Sequence, residues 1–64
     1  MMTDIELRVR GLLAEVYTPL GVNVWLGARN RNLGGAVPRE LLDSGSQLAA
    51  LEVLAEAEGV AGAS

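Results

Sequence analysis

This sequence predicts an all-α fold, a small single domain of about four short helices, and three observations predict it. Half of the 64 residues are hydrophobic, yet the chain has one Trp, one Tyr and no Phe. Leu, Val and Ala therefore supply nearly all the apolar surface, which suits helices packed through aliphatic side chains. Helix-start chemistry recurs along the chain at Thr3, Thr18-Pro19, Pro38 and Ser44–Ser46. Apolar residues return at intervals of three and four, the period of one helical face.

The first helix is expected over 3–17. Thr3 and Glu6 make a capping box, each side chain satisfying an otherwise unpaired backbone N–H. Ile5, Val9, Leu12, Leu13 and Val16 form one stripe, with Leu7 off it. Asp4–Arg8 and Glu6–Arg10 are i,i+4 pairs in the favourable acid-first order. Gly11 costs about 1 kcal/mol in the middle of this helix.

Thr18 as N-cap and Pro19 at the first helical position open a second helix over 19–27. Leu20, Val24 and Trp25 are expected to face inward; the β-branched Val22 and Val24 keep a strand as the alternative. Residues 30–36 form a loop. Leu33 pins it to the core, and Gly34-Gly35 turns the chain through backbone angles that other residues resist. Pro38 starts a short helix over 38–43 that buries Leu41 and Leu42.

Ser44-Gly45-Ser46 breaks that helix, and Ser44 with Gln47, or Ser46 alone, caps the last one, over 46–58. Leu48, Leu51, Leu54 and Ala55 are its expected inward stripe. Ala50, Val53 and Ala57 form a second, shallower strip flanked by Glu52 and Glu56, and this strip is the first candidate for a partner-binding surface. Gly59 is the expected stop, and 59–64 a flexible tail.

Composition narrows the function. With no Cys, His or Lys, nothing stands ready to activate a Ser or Thr nucleophile, the usual metal clusters are missing, and no cofactor is implied. The Gly-Gly loop lacks the spacing of either phosphate-binding glycine motif. An enzyme is therefore not expected. Net charge is −3 and the pI about 4.6, which argues against nucleic-acid binding. Charge is unevenly spread: Arg29, Arg31 and Arg39 lie in a stretch without acids, and Glu40, Asp43, Glu52, Glu56 and Glu58 follow without a base. That polarity suits docking on a protein surface of mixed charge, and the three arginines are further candidate partner contacts. No apolar run approaches the ~20 residues needed to cross a bilayer, and the acidic N-terminus is unlike a signal peptide; a cytoplasmic location is expected.

One stretch carries a resemblance. Trp25-Leu26, Asn30, Leu33-Gly34-Gly35, Pro38 and Glu40-Leu41-Leu42 follow the order found in the C-terminal toxin-binding domain of the Xre/MbcA/ParS antitoxins, and this segment of about eighteen residues resembles that domain. Arg29 and Arg31 stand where the family often has prolines beside the loop Asn, and Val37 where it usually has Thr or Ser. Family members carry a helix-turn-helix region ahead of this domain. The expectation is then a stand-alone toxin-binding half or a fragment of a longer antitoxin, with no DNA binding carried over. The resemblance implies a cognate RES-domain toxin, which consumes NAD+, as the partner, neutralised by occlusion of its active site. Two other readings remain: a self-associating helical scaffold forming a homo-oligomer, and a nucleic-acid accessory acting through the Arg loop. Trp25 and Leu33 are expected as core anchors of a structural hinge, with a direct partner contact by Trp25 as the alternative.

Overall fold

The computed structural model describes residues 3–63. They form helices α1 (Asp4–Leu13), α2 (Pro19–Gly27), α3 (Pro38–Asp43) and α4 (Gln47–Ala63), with one 3-10 turn at Arg31–Leu33 and no strand. The fold class is all-α, as the sequence predicts.

Local chemistry explains most boundaries. The Glu6 N–H donates to Thr3 Oγ1 at 3.1 Å, and the Gly21 N–H to Thr18 Oγ1 at 3.2 Å, so both threonines cap the helices they precede. At the start of α3, Val37 makes no side-chain cap, and Pro38 alone sets the first turn. Ser46 Oγ accepts from the Ala49 N–H at 3.2 Å and opens α4. α1 stops at Leu13 rather than at 17, and the chain turns through 14–17.

The core is aliphatic: Val9 and Leu13 of α1, Val22 and Leu26 of α2, Val53 and Ala57 of α4. Ile5, Leu12, Trp25, Leu33, Leu41, Leu42, Leu54 and Val60 pack around it, each partly buried. α4 lies chiefly along α1 and also meets α3 and the 3-10 turn, while α2 leans on α3. The radius of gyration is 10.5 Å, close to the ~10.7 Å expected for a well-packed domain of this length.

Besides the shorter α1, which leaves Val16 exposed, the structure corrects three further expectations. In α4 the inward face is Ala50, Val53 and Ala57, all buried, whereas Leu48 and Leu51 are 75% and 42% exposed and Ala55 is exposed. The cause is close packing: Val9 and Leu13 fill the space between α1 and α4, and small residues opposite them let the two backbones approach. In α2 the inward residues are Val22 and Leu26, while Leu20 (74%) and Val24 (60%) face solvent. Every face of this helix except that of Asn23 carries an apolar residue, so periodicity identifies no single buried side. Finally, α4 does not stop at Gly59. It continues through Ala63 with Val60 against the core, so 59–63 is ordered helix and not a flexible tail; Ser64 lies outside the described residues.

Candidate functional site

The segment from Trp25 to Leu42 folds as a self-bonded connector between α2 and α3, and Asn30 organises it. The Asn30 N–H donates to the Ala36 carbonyl at 2.9 Å, an isolated antiparallel bridge, and its own carbonyl accepts from the N–H groups of Leu33 (3.0 Å) and Gly35 (2.9 Å). Its side-chain oxygen accepts from the Asn32 N–H at 2.9 Å. Gly34 and Gly35 hold φ of 69° and 83°, a left-handed pair that side chains disfavour. Asn32 Nδ2 donates to Glu56 Oε1 at 2.8 Å and so ties the connector to α4. Leu33 sits half-buried on the core beneath it.

The arginines divide into two groups. Glu6, buried between helices, accepts from Arg10 Nε at 3.3 Å and lies 3.9 Å from Arg39 Nη1. Arg10 reaches on to Asn23 Oδ1 at 3.3 Å. One carboxylate thus links α1 to α3 directly and to α2 through Arg10. Arg39, a candidate partner contact in the sequence, is committed to this internal pairing. Arg8 pairs with Glu58 at 3.9 Å across α1 and α4, in place of the expected Asp4. Among the described residues only Arg29 and Arg31 have no carboxylate within ion-pair distance, and both are exposed.

Those two guanidiniums border an open apolar groove of about 440 Å³. Tyr17, Gly21, Val24 and Trp25 line it on the α2 side, and Ala28 to Arg31 on the connector side. Gly21 lets Tyr17 pack closely at the groove wall: a Cβ there would stand 3.1 Å from Tyr17 Cβ. Trp25 therefore serves two purposes, packing one part of its ring on the core and presenting another to the groove.

Of the sequence-derived candidates, the structure brings Arg29 and Arg31 together beside Trp25 and Asn30. It places Leu26 and Pro38 in the interior, and it half-buries Leu33, Leu41 and Leu42. Ala50, Val53 and Ala57 are interior and present no surface to a partner. Sequence reasoning missed the outward Leu20 and Val24; the signal was there, since α2 carries more apolar residues than one face can bury. It also missed Glu6 as a junction, because its partner Arg39 is distant in the chain. Among the described residues no cluster of His, Cys, Asp or Glu is placed to hold a metal ion, and no helix is long and apolar enough to cross a membrane. The chain matches no family model, no curated protein and no solved structure.

Proposed function

We propose that this chain is an antitoxin-like binding module. It neutralises a cognate RES-type, NAD-consuming toxin by protein–protein contact that occludes the toxin's active site, and performs no chemistry itself. The observation that carries this reading is the Trp25–Leu42 connector. The residues that resemble the antitoxin toxin-binding domain are the ones that bond to each other, turn the chain and anchor it, and they stand beside an uncovered apolar groove with two unpaired cations. The docking face moves accordingly, from the final helix to the outer side of α2 and the Arg29–Arg31 rim. An apolar centre bordered by arginine and aromatic side chains is a common composition for interface hot spots.

The test is co-expression with a RES-domain toxin. The parent chain restores growth and cellular NAD+, and Val24→Asp, at a surface position, loses the rescue while keeping its helical circular dichroism. Continued NAD+ loss with the parent chain in excess would overturn the reading. A second reading, a self-associating scaffold, is favoured by one observation: large aliphatic side chains are exposed on three helices, Leu7 on α1, Leu20 and Val24 on α2, and Leu48 and Leu51 on α4.

A further inference from the structure

The groove beside α2 states what its occupant must be. Its walls are apolar, so the occupant needs an aliphatic ridge. Its rim carries Arg29 and Arg31 without counter-charges, so the occupant needs a carboxylate close to that ridge. A groove open along a helix suits another helix presenting residues at i, i+3, i+4 and i+7.

The outer face of α4 meets each requirement. Leu48, Leu51, Glu52 and Ala55 fall at that spacing on one side of the helix, opposite the buried Ala50, Val53 and Ala57. Leu48 and Leu51 are the exposed large side chains of α4, and Glu52, also exposed, has no hydrogen bond or ion pair among the described residues. The neighbouring acids are already engaged, Glu56 with Asn32 and Glu58 with Arg8. Within its own chain α4 is occupied on its inner side by α1, α3 and the 3-10 turn, which leaves this outer stripe uncovered.

We propose that the groove receives α4 of a second copy of this chain, with Leu48 and Leu51 against Val24 and Trp25, and Glu52 between Arg29 and Arg31. The contact covers Val24, Leu48 and Leu51 at once and pairs the two unpaired cations with an unpaired anion. It also adds apolar burial to a domain of 64 residues, a size at which a single core is marginal. This inference is independent of the toxin reading, because it concerns the free chain.

Sedimentation velocity over a wide range of concentrations tests it. The parent chain shows a weight-average mass that rises above the 6.7 kDa monomer as concentration increases. Glu52→Arg and the double variant Arg29→Glu/Arg31→Glu alter exposed positions, and unchanged circular dichroism verifies their fold. Each weakens self-association about tenfold at low ionic strength. Mixing the two variants restores association, because the reversed charges then face one another across the contact. A parent chain that stays monomeric throughout overturns the proposal and leaves the groove to a different protein. Association that neither variant weakens, or that mixing fails to restore, overturns it as well.

Discussion

At the scale of single residues, two glycines in equally open surroundings show how backbone conformation decides a substitution. Gly11 lies inside α1 with no atom within 4 Å of the position a Cβ would take. It contributes nothing by being small, and Gly11→Ala is expected to stabilise the domain by about 1 kcal/mol on helix propensity. The space at Gly34 is equally open, yet its φ is 69°. There Gly34→Ala is expected to destabilise by about 1–2 kcal/mol, because an L side chain resists the left-handed region. Urea unfolding of both variants at one fixed protein concentration gives the two signs directly. Asn30 is as specific: its side-chain bond to the Asn32 N–H and its backbone bonds to Leu33, Gly35 and Ala36 hold the turn in which those angles occur.

At the scale of elements, α4 is where sequence and structure part. We expect Val53→Asp to unfold the domain, at a cost above about 3 kcal/mol, because that side chain is fully buried with no polar partner nearby. Leu48→Asp, on the outer face, leaves the fold intact. Had the leucines formed the inner face, the two outcomes would be exchanged, so circular dichroism of the pair decides the orientation. Deleting 59–64 is expected to cost about 1–2 kcal/mol through the loss of Val60 from the core. The helix starts were legible because they depend on residues adjacent in sequence: Thr3 and Thr18 accept from the N–H groups three residues on, and Pro38 presets the backbone of the first turn. Which face of α2 or α4 turns inward was not, because both helices are apolar on more than one side and the choice rests on how near α1 approaches. Gly59 reads as a stop locally, but packing of Val60 carries the helix past it. The groove was legible only in its ingredients, Trp25, Arg29 and Arg31, and not in the outward turn of Val24.

At the scale of the whole molecule, stability and association are one question. α4 rises about 26 Å over its 17 residues, and the outer stripe from Leu48 to Ala55 takes up about 11 Å of that length, so a neighbour bound there braces the N-terminal half of the helix. If copies associate in the folded state alone, mass action ties the melting temperature to concentration. We expect the thermal midpoint to climb as the chain is concentrated, and the climb to shrink in Glu52→Arg; differential scanning calorimetry at several concentrations measures both. The groove beside α2 is also the face proposed for the toxin, so on those two proposals the contacts compete, and added toxin is expected to dissociate the copies.

The Glu6 junction has a further consequence, for how the sequence can vary. One carboxylate answers to Arg10 and Arg39, and Arg10 in turn to Asn23. Positions 6, 10, 23 and 39 thus form one network, and the effect of changing any of them depends on the identity of the others. A Glu6→Gln substitution that is costly in this background becomes milder once Arg39 is already neutral, a coupling of roughly 1 kcal/mol for residues in one network. Related chains that lose the acid at position 6 would be expected to have lost the base at position 39 as well, so paired change at these two sites would report the α1–α3 junction from sequences alone.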